Sequence, residues 1–378
     1  MVNAGGVLKG DPHTFEAVHV AAPLALARAA AELGIRRMVQ ISALGDPRDG
    51  EFVASKHRGD QALLGSDLAV TVLRPSVVYS LTGSYGGTSL LRALAAAPGL
   101  IPVPGLGRQL IQPVHARDLA EIVVAASTAP LVEASLTAAN DVDASVPAQA
   151  SAIYAVVGPE QLTIAAFLRQ LRRWLGLREA ALLPVPMPLL RLAGWIGDRL
   201  GDGPLGGALV RMIQRGNATT LADHALLKSS FGVEPRTFAW WQAQEPSHVQ
   251  DRWHARLYPL APLLRCGLAL TCLLSAMAGF ALTPAEISVL AAPLHLPEWL
   301  AWIFGYGGSA LDAMLGAMLL GNWRTRLAAD LLLLLVLSYT VVLGLAMPGL
   351  WFDPWGALVK NLTILPAILI WRVLADRR

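Results

Sequence analysis

Ser42 and Lys56 are the residues whose types and placement best suit chemistry. Met38 to Ile41 (MVQI) reads as a buried strand with Ser42 at its end; a short polar loop follows, then a helix that opens near Phe52 and carries Lys56. A strand that delivers a hydroxyl to its C-terminal end, followed by a helix bearing a lysine, is how doubly wound α/β proteins build sites. The plain alternative is a loop hydroxyl and an exposed helix lysine. No His, Cys, Asp or Glu cluster has metal-ligand spacing, so no metal is expected. The 2 cysteines, Cys266 and Cys272, share one apolar stretch and suggest inert buried thiols rather than a disulfide framework.

The elements that position these residues alternate strand and helix. Val2 to Leu8 is short and glycine-containing; Asp11-Pro12 turns into a helix from about Thr14 to Leu33, which Pro23 should bend and Gly34 should end. A strand from Ala69 to Val72 leads into Arg74-Pro75-Ser76-Val77-Val78-Tyr79, and helices are expected over Ser89–Ala96 and after Pro113. Apolar strands between helices argue for a parallel sheet covered on both faces. From about residue 151 to 246 the composition shifts. Ile164, Phe167, Leu168, Leu171 and Leu175 line one face of a helix, with Arg169, Arg172 and Arg173 on the other, and a second amphipathic helix runs through Leu200.

Five segments occur in a telling order: Asn3-Ala4-Gly5-Gly6, Ile41-Ser42-Ala43-Leu44-Gly45, Ser55-Lys56-His57-Arg58-Gly59-Asp60, the Arg74–Tyr79 run, and Pro113 to Ala120 (PVHARDLA). In this order the set resembles the atypical and extended short-chain dehydrogenase/reductases, above all the branch containing the Rossmann-fold accessory subunit of respiratory complex I. The resemblance covers about residues 1 to 245. It implies NAD or NADP as cofactor, with Asn3, Ala4 and Gly5 on the adenosine side and Pro75, Ser76, Val77 and Val78 meeting the nicotinamide amide. It also implies that Ser42 and Lys56 bind cofactor and substrate and take part in catalysis. The family's catalytic tyrosine precedes the lysine by one helical turn, and Phe52 stands there. A phenyl ring has no proton to give, which puts carbonyl reduction in doubt. Asp118, at the start of a helix, reads as a cap or brace.

The family begins with strand, GxxGxxG and helix, and this chain starts almost on the strand ending in Asn-Ala-Gly. The expectation is therefore an N-terminally truncated, partial Rossmann-like sheet over residues 1–150, with weak dinucleotide binding for want of the glycine turn that cradles pyrophosphate. A half-domain with an unprotected edge strand is the other possibility. Residues 151–246 would cap the sheet on the substrate side.

Hydrophobic residues make up 54% and charged ones 15% of the 378, and the excess is concentrated after about residue 259. Net charge is only +3 and no basic run suggests nucleic acid. Residues 247–258 (SHVQDRWHARLY) read as a juxtamembrane segment, with Trp253 and Tyr258 at headgroup depth and Arg252 and Arg256 beside them. Four spans follow over 259–378, at about Leu260–Leu282, Trp299–Leu320, Leu327–Met347 and Trp355–Leu374, an all-α four-helix transmembrane bundle. With its LDAMLGAMLL run opening at Leu311-Asp312, this module resembles the DoxX-like membrane family. Asp312, Asp330 and Lys360 are costly in a bilayer and so draw functional interest.

Two readings stand. One is an inner-membrane NAD(P)-dependent oxidoreductase acting on a lipid or quinone-like substrate that anchoring would bring near. The other is a non-catalytic nucleotide-binding or assembly module of a membrane complex. Topology follows from charge: Arg324 and Arg326 fall in the second connection, Arg372, Arg377 and Arg378 in the tail, and no Lys or Arg in the first and third connections. Both ends should therefore be cytoplasmic. Reporter fusions after Arg326 and Arg378 should report cytoplasm, and fusions near Pro293 and Asp353 the opposite side; a far-side signal at Arg378 would overturn the arrangement.

Overall fold

The computed structural model describes residues 1–129, 152–200, 206–354 and 356–375. The chain divides into two compact units, Met1–Ala255 and Arg256–Arg378. The expected boundary near residue 150, together with Trp355, Arg377 and Arg378, lies outside the described residues.

The first unit is built on four parallel strands in the order β1 (Val2–Asn3), β2 (Arg37–Ile41), β3 (Ala69–Pro75) and β4 (Ala152–Val156). Val39 pairs with Val2 and Thr71, and Thr71 with Ala152. Successive strand residues face opposite sides, so one strand feeds two cores. Met38, Val70 and Val72 pack with Ala27, Ala30 and Leu63 on one face, while Val39, Leu73 and Val156 pack with Ile122, Ala126 and Leu227 on the other. Helices thus cover both faces, which is the α/β architecture the apolar strands imply.

Helix α1 (Glu51–Leu64) returns the chain from β2 to β3. Between β1 and β2 the helix is less regular than a simple bend at Pro23. A π-helical turn over Ala17–Ala21 separates Pro12–Glu16 from Ala22–Glu32. Proline lacks the N–H needed to continue the α-helical ladder, and the wider turn just before it absorbs the mismatch. Gly34, at φ 73°, follows the helix end as a left-handed residue.

A third core gathers Tyr79, Ile101, Phe167, Leu168, Trp174 and Phe238 around the helix Ile164–Trp174. Arg172 does not belong to that helix's solvent face. It is buried and donates at 2.8 Å to the carbonyls of both Ala95 and Ala97. The sequence pattern places it by period alone; the open carbonyls at the end of a neighbouring helix draw it inward.

The second unit holds most of α2 (Val249–Ala281), then α3 (Glu298–Leu320), α4 (Thr325–Ala346) and α5 (Asn361–Leu374). The expected juxtamembrane segment is the first turns of α2 rather than a separate element, and a helix over Pro284–Ala291 occupies part of the first connection. Among the described residues, three helices, α2, α3 and α4, are long and apolar enough to cross a membrane. The fourth predicted span is shorter than expected. Its helix has 14 residues with Pro366 inside, about 21 Å at 1.5 Å per residue against a hydrocarbon core of about 30 Å. It still contributes Ile368 and Trp371 to a common core with Leu268, Leu315, Leu332 and Val336 of the other three.

One contact in the first unit tolerates no extra atom. A Cβ on Gly59 of α1 would lie 2.0 Å from the carbonyl oxygen of His19. Gly59→Ala should cost about 1–3 kcal/mol by overpacking. Thermal melting of the full chain should then show a Tm lower by about 2–4 °C per kcal/mol; an unchanged Tm would mean the two backbones part freely.

Candidate functional site

Ser42 continues the ladder beyond β2, its N–H donating to Leu73 at 2.7 Å. Its hydroxyl turns to the fully buried carboxylate of Asp60 on α1, donating at 2.7 Å to Oδ2. The same oxygen accepts from Arg74 Nε at 2.9 Å and lies 2.8 Å from Nη2. Asp60 follows Lys56 by four residues, so both project from one side of the helix. Lys56 is itself buried and donates to the carbonyls of Gly5 at 2.7 Å and Ile41 at 3.2 Å. Burial holds its pKa below the usual lysine range, against the opposing field of Asp60.

Asn3 is equally occupied. Its amide donates to Gln40 Oε1 at 2.8 Å and its Oδ1 accepts from Gly5 N–H at 3.0 Å. Ala4, Gly5 and Gly6 are exposed beyond β1, and a Cβ on Gly6 would come within 2.9 Å of Lys56 Nζ. Phe52 presents its ring edge-on to His19 at 5.7 Å. His19, fully buried, accepts from Val7 N–H at Nε2 (3.0 Å) and meets Ser55 Oγ at Nδ1 (2.8 Å). The residues assigned from sequence to the ends of β1 and β2 therefore do gather, but Asn3, Ser42 and Lys56 are each satisfied within the protein.

The Pro75–Val78 segment belongs to a second region. Pro75 O accepts from Leu44 N–H at 3.0 Å, Ser76 donates to Val156 O and through its hydroxyl to Asn217 O at 2.6 Å, and Val77 O accepts from Val114 N–H. Val77 and Val78 help line a cleft of about 520 Å³ with Tyr79, Leu90, Leu91 and Ile213. Neither Ser42 nor Lys56 lines it. Its wall is apolar apart from a few hydroxyl groups and backbone atoms.

Beside the cleft lies a polar group that sequence reading missed. Tyr79 is 3% exposed and its hydroxyl has no hydrogen-bond partner among the described residues. Its ring stands edge-on to His115 at 5.0 Å, and His115 stacks on Trp241 at 3.8 Å. His115 Nδ1 accepts from Arg117 N–H at 3.2 Å, while Nε2 faces Glu245 at 3.4 Å. Arg117 lies 3.1 Å from Glu245, near enough to attract but not aligned to hydrogen-bond. Burial, foremost, pushes the Tyr79 pKa up. Asp118 is the brace its helix-start position suggests. It accepts from Trp241 Nε1 at 2.8 Å, Arg236 N–H at 3.0 Å and Arg236 Nη1 at 2.9 Å. Tyr79, His115 and Asp118 fall in segments that the sequence marks, but only Asp118 had a role assigned from its position; Tyr79 and Glu245 are 166 residues apart and meet through the fold.

Among the charged residues of the second unit, Asp312 accepts from Ser275 at 2.7 Å across α3 and α2, and Asp330 pairs with Arg372 across α4 and α5. Lys360 sits just before α5 and is exposed. No metal cluster occurs among the described residues.

Residues 269–370 match the model of the DoxX-like family. No curated protein matches the chain. Solved structures similar to it include MoeE5 in complex with UDP-glucuronic acid and NAD, at 16% identity over 65% of this chain and 76% of that one, with a TM-score of 0.43. RMD from Pseudomonas aeruginosa complexed with NADPH shares 13% identity over 68% and 80%, TM-score 0.44. The Bordetella bronchiseptica enzyme WbmG in complex with NAD and UDP shares 15% over 65% and 70%, TM-score 0.42.

Two buried histidines make the unit acid-sensitive. His19 and His115 are both held down to about 4, chiefly by burial, with the Lys56 charge adding to the effect at His19. Protonated His19 would also set Nε2–H against the Val7 N–H it now accepts. Because the folded pKa is depressed, this stability is complete above about 6.5, the unfolded value, and is lost as pH falls toward 4. Melting curves of the full chain from pH 8 to 4 should show Tm falling through that window, and less steeply in His19→Gln.

Proposed function

We propose that the chain is a membrane-anchored protein of the dinucleotide-fold type that binds NAD or NADP weakly at the C-terminal ends of β1–β3 and an apolar molecule in the cleft beside Val77 and Tyr79. The four-part division at residues 150, 246 and 258 belongs to this reading, as does placement in the inner membrane with the first unit and C-terminus cytoplasmic. The cleft's apolar wall supports a lipid or quinone-like occupant.

The observation that carries the reading is the state of the three positions needed for carbonyl reduction. Phe52 has no hydroxyl, Lys56 is spent on two backbone carbonyls and Ser42 on Asp60. What remains is a fold suited to binding.

A dinucleotide fits the residues present only in part. The exposed Ala4–Gly6 backbone offers a smooth approach for adenosine, and Val77–Val78 an apolar seat for nicotinamide. The pyrophosphate fares worse. After β1 the first helix N-terminus is capped by Asp11, whose carboxylate accepts from Thr14 N–H at 2.7 Å. A negative cap takes the donors and the positive dipole end that a phosphate would use, and repels it as well. When bound, a nicotinamide dinucleotide supplies hydride transfer. Lys56 and Asn3 would have to release internal partners to reach it.

A second reading, an oxidoreductase, has one observation in its favour: the unpartnered Tyr79 hydroxyl beside the cleft. Fluorescence titration of the full chain with NADH and NADPH separates the two. Binding should half-saturate no lower than about millimolar, about −4 kcal/mol, with no reduction of quinones or aldehydes. Micromolar binding with turnover that Tyr79→Phe abolishes and Phe52→Tyr leaves unchanged moves the assignment to the second reading.

A further inference from the structure

In the first unit, the helix Met187–Leu200 turns an apolar face to solvent. Leu189, Leu192, Trp195 and Ile196 are 57%, 53%, 53% and 40% exposed. Spaced three and four residues apart, they form one stripe along the helix. Large apolar side chains exposed singly are ordinary, whereas a contiguous row marks an interaction surface. The opposite face is already in use. Gly194 lies so close to the helix Gly207–Arg215 that a Cβ there would come within 3.0 Å of Val210, and Asp198 accepts from Gly207 N–H at 2.9 Å. The helix is thus fixed with its stripe outward.

Charge indicates what covers the stripe. Arg191 and Arg199 stand one helical turn before and after Trp195, and both are exposed. Arg199 lies over the Trp195 ring, 3.7 Å from its centroid, and Arg191 donates to the neutral Gln214 at 3.2 Å. Asp198, the one acidic residue of this helix, is engaged at Gly207. Exposed Leu, Trp and Ile beside free guanidinium groups is the composition of a helix that lies in the plane of a bilayer surface. Its apolar side chains enter the acyl boundary and its arginines meet anionic headgroups. A second copy fits less well, because a two-fold pairing of these faces would crowd the arginines of both copies together. The same chain carries helices long and apolar enough to cross a membrane. Such a tether presents a bilayer surface to the first unit at high effective concentration.

We propose that the helix Met187–Leu200 docks flat on an anionic membrane surface, with Leu189, Leu192, Trp195 and Ile196 inserted and Arg191 and Arg199 at the headgroups. The inference rests on the membrane anchoring in the reading above, and not on the dinucleotide or on the occupant of the cleft.

Spin labelling of the full chain in lipid nanodiscs tests this. With Cys266→Ala and Cys272→Ala as background, a nitroxide is attached through Leu192→Cys, and in a separate sample through Leu334→Cys on α4, where Leu334 is 64% exposed. Collisions are read with oxygen, which partitions into lipid, and with a polar nickel chelate, which stays in water. In discs of phosphatidylcholine and phosphatidylglycerol, oxygen collisions should dominate at both positions. Arg191→Gln with Arg199→Gln should raise the water-exposed fraction at position 192 at least about fivefold and leave position 334 as it was. Nickel dominating at 192 while oxygen dominates at 334 overturns the docking and leaves the anchor intact. Nickel dominating at both removes the anchor, and the docking with it. Spin–spin broadening at 192 in place of oxygen access means that a second copy covers the face, and a label unmoved by the double variant means that anionic headgroups play no part; either overturns the proposal.

Discussion

A carboxylate with no access to water sets the terms for the first unit. Asp60 is fully buried in the helix that follows β2, and a buried charge persists only when paired and hydrogen-bonded. Arg74, at the end of β3, supplies the charge, and Ser42, at the end of β2, a further donor to the same oxygen. The helix is thereby locked to the C-terminal ends of β2 and β3, where α/β sheets place ligands. Removing one partner of such a pair typically costs about 3–5 kcal/mol, because the other charge is left stranded. The hydroxyl that strand–helix pattern offers as a catalytic group is thus committed to architecture.

The same economy recurs one helical turn earlier. Lys56 can be buried because Gly5 and Ile41 turn carbonyls toward it, and Gly5 can do so because the chain after β1 runs close over the helix. Gly6 and Gly59 make room for that approach: one leaves space for the ammonium, the other for the His19 carbonyl. His19 then fastens Val7 and Ser55. The loop after β1 is therefore held by helix residues.

Much of this was legible and some was not, for a physical reason. Met38 and Val39, adjacent and both apolar, announce a strand buried on two faces, and the structure sends them to two different cores. Gly34 as a helix stop and Asp118 as a brace follow from local rules. Orientation and length were harder. Nothing near Ser42 says that its hydroxyl turns to Asp60, since that choice depends on Arg74 arriving from another strand. The fourth apolar segment has the composition of a span, yet turns precede Asn361 and shorten its helix. Arg172 obeys the helical period and still turns inward, because carbonyls at Ala95 and Ala97 await a donor.

The aromatic group around Tyr79 departs from the rule that buried polar groups find partners. Tyr79 Oη, His115 Nε2 and both Glu245 carboxylate oxygens are buried and unmatched among the described residues, although donors and acceptors lie side by side. Each such atom forgoes about 1–3 kcal/mol, so small rotations that joined Tyr79 or His115 to Glu245 would be favoured. They are restrained by stacking: His115 lies flat on Trp241, which Asp118 holds through its indole N–H, and Phe238 and Phe167 crowd Tyr79. The aromatic packing therefore keeps a donor and a carboxylate apart beside an apolar cleft. Tyr79, which lines the cleft, thus keeps hydrogen-bonding capacity that no described residue uses, whereas Ser42 and Lys56 would first have to give theirs up.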